Sequence, residues 1–327
     1  AGLFYDLSTL DCLNFSDEKW NDTVTGLLTK DGGIYGMRPE KAEPRKGVFF
    51  NKRLLTDAGI DPESIYDMQA NGTWTWDAFE ALCEKLTRDT DNDGVIDRYA
   101  MMSFSQHLIP AALVSNGAGF VQVDENGKYY NAAETDAFLE AMNWVMDMVS
   151  KYEMKAPEGA EWNYFESAFI NGEVALQVHE DYFAGSLANM EDDYGFVFFP
   201  KGPRVDTYLY APSDNIMVIP ACYDADRAWK IAFAYNLFTN PTPGYTDSDD
   251  WKSGYYQKYR DERAVDETIA MMREPEHQFV WYSDMVTGYD LGSQYLWDVY
   301  AQATTPAEKA ESMRGTWQAY IDEANAN

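Results

Sequence analysis

Residues 165–178 read FESAFINGEVALQV, a stretch whose period changes partway along. Phe165 and Phe169 stand about one helical turn apart, and Gly172 is a stop signal for that helix. The six residues EVALQV, 173–178, have the length and apolar content of a buried strand. A helix that hands over directly to a strand is a joint of α/β folds. Three more helices show themselves by their caps. Thr75 precedes WDAFEALCEKL, with Phe79, Leu82, Cys83 and Leu86 on one face. Thr135 opens DAFLEAMNWVMDMV, with Phe138, Met142, Val145 and Val149 aligned. Thr305, Pro306 and Glu308 form a capping box with proline in the first turn, ahead of a stripe of Met313, Trp317, Tyr320 and Ile321. Further strands are expected at GVFFN 47–51, GFVFFP 195–200 and NIMVIP 215–220, and a loop at 241–254.

Composition narrows the function. The chain of 327 residues is 46% hydrophobic and 15% aromatic, enough for a sizeable core and about two domains. With 25 basic against 55 acidic residues its formal charge is −30, which disfavours nucleic acid and anionic membrane surfaces. No apolar run reaches the ~18 residues of a membrane span. The opening AGLFYDLSTL lacks an initiating Met and a signal peptide's basic and apolar regions, so the natural chain is expected to start earlier. Cys12, Cys83 and Cys222 are scattered, with three His for company, a pattern that fits buried or idle thiols rather than zinc or disulfides. No GxSxG, Walker A, HExxH or GxGxxG motif occurs, and NGAGF at 116–120 follows a helix rather than a strand.

DTDNDGVID at 89–97 places Asp89, Asp91, Asp93 and Asp97 at alternate positions around Gly94. Three carboxylates, the Val95 carbonyl and Asp97, direct or through water, suit a hard cation such as calcium. An EF-hand's twelfth-place Glu is missing, Ala100 standing there, which predicts weak, extracellular-type affinity. The alternative is an Asx-rich turn whose carboxylates accept backbone N–H groups. In either case the loop is structural.

Four runs, GVFFNKRLLTDAGID at 47–61, TWTWDAFEALCEKLTRDTDNDGVIDRYAM at 73–101, FESAFINGEVALQV at 165–178 and DNIMVIPACYDADRAWKIAFAYNL at 214–237, together resemble the extracellular solute-binding proteins of ABC-type sugar importers, the maltose-binding-like family. Leu176 stands where the family pattern usually has Met. The resemblance implies a two-lobed, type II periplasmic-binding-protein-like α/β fold, each lobe a small sheet flanked by helices, with lobe 1 incomplete. It assigns 1–45 and 211–282 to lobe 1 and 46–210 and 283–327 to lobe 2, with crossings near 40–47, 207–214 and 276–286. It implies capture of an oligosaccharide between the lobes by hinge closure, delivery to ABC permease subunits, a monomer outside the cell, and a lipoprotein anchor on the full-length form.

A sugar ring offers an apolar face and a rim of hydroxyls, so its site needs aromatic platforms beside carboxylates and amides. Trp162 and Tyr164 lie before a helix, and Glu180, Asp181 and Tyr182 follow the strand ending at Val178. Tyr182 occupies the place where the resemblance implies a ligand-stacking Trp. Gln106, His107 and Asn116 flank the apolar helix LIPAALVSNG, and Tyr35 sits in the GGIYG turn. The resemblance adds Tyr208, Tyr210, Asp214 and Asn215 at the second crossing, and Trp281, Tyr282 and Tyr289 at the third. The rival class is a carbohydrate-active hydrolase, which needs two carboxylates at a set separation, one with a raised pKa; nothing in the sequence singles out such a pair.

Overall fold

A computed structural model describes residues 2–39, 41–212, 215–244, 251–286 and 291–326, without the side chains of 291–294. Contacts divide the chain into two units, Ala1–Glu43 with Ser213–Ser253 and Pro44–Pro212 with Gly254–Asn327.

The larger unit is built on strand β1 (Lys46–Asn51), which lies between β2 (Leu176–Glu180) and β3 (Tyr194–Phe198) and is antiparallel to both. Val48 faces Val178 on one side and Val197 on the other. Every residue from Gly47 to Asn51 is buried, so the run is continuously apolar instead of alternating. On one face Phe49 packs its ring against Phe169, Phe183, Phe196 and Tyr259. Phe50 meets Tyr66. A β-carbon at Gly195 would stand 2.1 Å from the Phe50 ring, so only glycine fits there.

Around the sheet run α1 (Trp76–Leu86), α2 (Ser105–Ser115), α3 (Asp136–Tyr152), α4 (Tyr164–Ile170), α5 (Leu291–Tyr300) and α6 (Pro306–Ala326). The expected caps form: Thr75 accepts the Ala78 amide, Thr135 accepts that of Phe138, and Thr305 and Glu308 bond reciprocally. The joint at 165–178 closes as a Schellman motif. Gly172, at φ 69°, donates to the Phe169 carbonyl at 3.0 Å, and Glu173 donates to Ala168 at 2.9 Å. The strand begins later than its apolar run, at Leu176, because Glu173 still serves the helix end.

β3 has a free edge, and side chains close it. Tyr66 Oη accepts the Phe196 amide at 3.1 Å, Gln69 Oε1 accepts the Phe198 amide at 2.8 Å, and Thr268 Oγ1 donates to the Phe196 carbonyl at 2.9 Å. Gln69 Nε2 in turn donates to Thr268 at 3.0 Å. This seam explains why residues 254–282, expected in lobe 1, pack in the larger unit. Tyr259 also donates to the Asp181 carbonyl, and Tyr194 to that of Lys258.

In the smaller unit, Leu7, Leu10, Trp20, Met37, Ile219, Ala228 and Ala232 form the core beside the helices Asp22–Leu27 and Ala225–Phe238 and the two-stranded ladder of Thr29–Lys30 with Gly33–Ile34. Lys19 Nζ donates to the Asn236 carbonyl at 2.7 Å, a cation at the negative end of a helix. The strand expected at 215–220 does not form a ladder. It pairs only singly, Met217 with Met37 and Pro220 with Phe4, since each partner offers one residue in register. Of the loop expected at 241–254, residues 245–250 lie outside the described residues, and a short helix starts at Lys252.

Gln69→Leu should strip partners from both the Phe198 amide and Thr268. Urea unfolding is expected to show a loss of about 1–3 kcal/mol with unchanged slope; a variant as stable as the parent would mean that the edge is closed by other means.

Candidate functional site

At the C-terminal end of β2 the sheet meets the first turns of α2 and α4, and the aromatic side chains there form one connected set. Phe104, immediately before α2, stacks on Phe165 of α4 with centroids 5.2 Å apart and planes 1° from parallel. Trp162 and Trp297 each turn an edge to Phe104, at 6.1 and 6.2 Å. Phe165 touches His179, which Tyr182 approaches at 5.7 Å, nearly perpendicular. Three of these six rings are half-buried or buried, and three are open to solvent: Trp162 is 76% exposed, Tyr182 55% and Trp297 55%. Open aromatic faces grouped on one surface mark a place where something docks.

Beneath the rings lie two histidines with centroids 4.2 Å apart. His179 Nδ1 accepts the Glu180 amide at 2.8 Å, so the neutral ring carries its proton on Nε2, which points at Glu166 Oε1 3.5 Å away. Burial pushes the His179 pKa down, against the pull of Glu166. His107 falls to about 3, first through burial and then through His179 and Lys46. Its Nδ1 is buried without a hydrogen-bond partner, while the other side of the ring serves the backbone at Val178. Both rings are therefore neutral at pH 7.

The carboxylates are held by cations from the start of β1. Glu180 receives Lys46 Nζ at 2.8 Å and Arg45 Nε at 3.6 Å, and Asp181 lies 3.6 Å from Arg45. The Lys46–Glu180 strand register sets that pairing. The surface thus combines flat apolar rings with a partly buried, largely neutralised ionic base, and Gln106 stands half-exposed one residue before His107.

Of the residues singled out from sequence, Gln106, His107, Trp162, Glu180, Asp181 and Tyr182 belong to this neighbourhood. Others do not. Asn116 is buried, donating to the Ala137 carbonyl and Glu140 and accepting the Arg204 amide, all at 3.0–3.2 Å; it is a clamp between α2, α3 and the turn near Arg204. Tyr164 turns its hydroxyl to Glu173 at 2.7 Å. Tyr208 packs on Phe198, with its hydroxyl pushed up to about 12 by burial, and Tyr210 packs on the same ring. Trp281 leans on Phe120 and Tyr282 on Tyr129. Tyr35 and Asn215 belong to the smaller unit, and Asp214 and Tyr289 lie outside the described residues.

Phe104, Phe165, His179, Arg45, Lys46 and Trp297 complete the neighbourhood without having been singled out. For Trp297 a signal existed: Tyr295, Leu296 and Val299 are the buried face of α5, so the Trp among them stands off the stripe.

In the acidic loop, carboxylate oxygens of Asp89, Asp91 and Asp97 converge to within 4.8 Å of one another. Asp93 does not join them; its Oδ1 accepts the Val95 amide at 2.8 Å. Asp89 takes the amides of Asn92 and Gly94, and Asp97 takes both the amide and hydroxyl of Thr90, each at 2.6–2.8 Å. Arg88 and Arg98 close the base by mutual backbone bonds. The Asx-turn network is thus formed, with three acids left facing each other.

The fold agrees with what comparison finds. A family model for bacterial extracellular solute-binding proteins matches residues 15–234, and the chain belongs to that family. Among solved structures, UgpB from Mycobacterium tuberculosis in complex with glycerophosphocholine is 18% identical with a TM-score of 0.68, over 98% of this chain and 80% of that one. The ABC substrate-binding protein Lmo0181 from Listeria monocytogenes in complex with cycloalternan is 15% identical with a TM-score of 0.65, over 99% and 80%. The GacH receptor of Streptomyces glaucescens, solved unliganded and with acarbose, is 15% identical with a TM-score of 0.64, over 98% and 79%. The fold is the two-lobed α/β fold of these proteins. No curated protein sequence matches the chain, and among the described residues no helix is long and apolar enough to cross a membrane.

Because the folded pKa of His107 lies below its ordinary 6.5, the unfolded chain takes up a proton there that the folded chain refuses. The contribution of neutral His107 is complete above about 6.5 and is lost as pH falls toward 3. His107→Phe, compared with the parent by chemical denaturation, should therefore gain relative stability steadily from pH 7 to pH 4.5; a constant offset would contradict the neutral buried ring.

Proposed function

We propose that the protein captures a carbohydrate, an oligosaccharide in particular, on the Trp162–Tyr182–Trp297 surface and passes it to the permease subunits of an ABC-type importer without altering a covalent bond. The observation that carries this reading is the trio of solvent-open rings around the stacked Phe104–Phe165 pair in a chain of the solute-binding family. Exposed Trp is costly to leave in water, and a pyranose face restores the burial while its hydroxyls reach the acid–base pairs at the rim. The bound glycans of Lmo0181 and GacH support the ligand class, although glycerophosphocholine on UgpB shows that the fold also accepts other polar solutes. Glu180 is fixed between Lys46 and Arg45, an arrangement that suits an anchor for hydroxyls at the rim. Delivery by a monomer tethered at the cell surface completes the reading, with the family as its support.

Titration calorimetry with a panel of oligosaccharides should find a saturable ligand and no released product. Trp162→Ala and Trp297→Ala should each weaken it about tenfold or more, on the order of 1.4 kcal/mol. Asn116→Ala should lower stability and leave the dissociation constant alone. Sugar release on incubation, or Trp variants that bind like the parent, would overturn the assignment.

We also propose calcium as a structural ion at Asp89, Asp91 and Asp97, whose mutual repulsion a divalent cation would relieve. Thermal unfolding should shift upward with added calcium, by the equivalent of about 1.4 kcal/mol at ten times the dissociation constant. Asp91→Asn should abolish the shift, and a parent indifferent to millimolar-range calcium would remove the ion from the account.

A further inference from the structure

Behind the aromatic surface lies a buried carboxyl that the ligand reading does not use. Glu153, the residue that caps α3, is half-buried as a whole, with its carboxyl turned into the larger unit; it pairs in backbone register with Met101, and Met154 donates to the Met101 carbonyl at 2.9 Å. Its Oε1 is hydrogen-bonded to Tyr300 Oη, and its Oε2 has no partner. Tyr300 Oη is also 2.9 Å from the Ser103 carbonyl, to which it donates. The hydroxyl thus stands between two acceptors with a single hydrogen to give. If that hydrogen goes to Ser103, an ionised Glu153 would face the lone pairs of Tyr300. An ionised Glu153 would take the Tyr300 hydrogen and leave the Ser103 carbonyl without it, whereas a protonated Glu153 could donate to Tyr300 and leave Tyr300 free to donate to Ser103, so that both contacts are satisfied at once. Among the described residues no Lys, Arg or His is paired with Glu153; the Tyr300 hydroxyl and the Ser103 amide hold its pKa down against the larger, opposite effect of burial.

The chain of bonds ends next to the ligand surface. Ser103 precedes Phe104, the ring on which Trp162 and Trp297 converge. Tyr300 lies three residues after Trp297 on α5, close to the same side of the helix. Fastening Tyr300 to Ser103 therefore fixes the position of Trp297 relative to Phe104.

We propose that Glu153 is held as the neutral acid and, through Tyr300, acts as a positioning residue that sets Trp297 against Phe104, so that a buried carboxyl proton is part of the ligand surface. This rests on the reading of Trp297 as a contact for carbohydrate. Burial raises the carboxyl to about 8. The positioning is then intact at pH 7 and lost as pH rises through that value. At pH 9 only about one molecule in ten keeps the proton.

Three measurements on the whole protein test this. Infrared difference spectra between pH 7 and pH 9 should show a protonated carboxyl band that disappears with alkali and is missing in Glu153→Gln. The Trp297 emission, taken as parent minus Trp297→Phe, should shift to the red over the same range in the parent and stay still in Glu153→Gln, whose amide donates to Tyr300 at every pH. The oligosaccharide found by calorimetry should bind about tenfold more weakly at pH 9 than at pH 7, with Glu153→Gln free of that dependence. Absence of the band in the parent, or a parent and variant that follow the same pH course, would overturn the proposal. If no oligosaccharide binds at any pH, the carbohydrate reading fails by itself, and the band and the Trp297 emission still decide the role of Glu153. If Glu153→Gln does not fold, the parent's band and emission decide it.

Discussion

The constraint on which the larger unit depends is the burial of β1 from Gly47 to Asn51. A strand covered on both faces and paired on both edges leaves none of its backbone for water, so its neighbours must be complete as well. β2 meets this by pairing along its whole length, and Gly195 meets it on β3 by letting the Phe50 ring lie against the backbone. The outer edge of β3 would then be the weak point of the sheet. Tyr66, Gln69 and Thr268 remove it with side-chain bonds, two from the helix Glu63–Ala70 and one from the segment Ala264–Ile269. Two stretches of chain far apart in sequence are thereby drawn to one edge.

The same strand places the aromatic surface proposed for the ligand. Lys46 begins β1 and, with Arg45 beside it, faces Glu180 and Asp181 where β2 ends. Their pairing fixes the end of β2, from which His179 reaches back under Phe165 and Tyr182 turns outward. The acids do not depend on a ligand for their counter-charges, so what the surface still lacks is apolar cover for Trp162, Tyr182 and Trp297. That ordering of needs suits a guest recognised first by its flat face and then by its rim, the physical description of a sugar.

Period and caps made the α/β class, the three sheet strands and the long helices legible, because helix and strand are local and a Thr cap or a Gly stop acts within a few residues. The site was legible only where it coincided with such a boundary. Glu180, Asp181 and Tyr182 follow a strand, and Trp162 precedes a helix, so their places could be read directly. Asn116, Tyr208 and Tyr210 also stand at boundaries, yet they turn inward, and only long-range packing against Glu140, Phe198 and Arg204 determines that. Trp297 shows the converse. It lies inside a helix far along the chain and reaches the site because α5 crosses α2, a contact that no local pattern encodes. The 215–220 run failed as a strand for a related reason: β propensity supplies a willing edge but not a partner with matching residues.

Glu153 and His107 bracket the first turn of α2, one bonding through Tyr300 to Ser103 and the other lying within the turn itself, and they respond to protons in opposite senses. The stabilisation from Glu153 is complete below its ordinary 4.5 and drains away as pH rises through about 8. That from His107 is complete above its ordinary 6.5 and drains away as pH falls toward about 3. Between about 4.5 and 6.5 the two slopes oppose each other, so the anchorage of α2, and of Phe104 ahead of it, changes little there. Outside that interval only one of them acts, and each works against folding. A chain of net charge −30 becomes more negative still in strong alkali as Lys and Tyr lose their protons, and that repulsion works against folding beyond the range of the Glu153 slope. The aromatic surface is thus held most firmly at mildly acidic pH, by two buried groups that are both uncharged there.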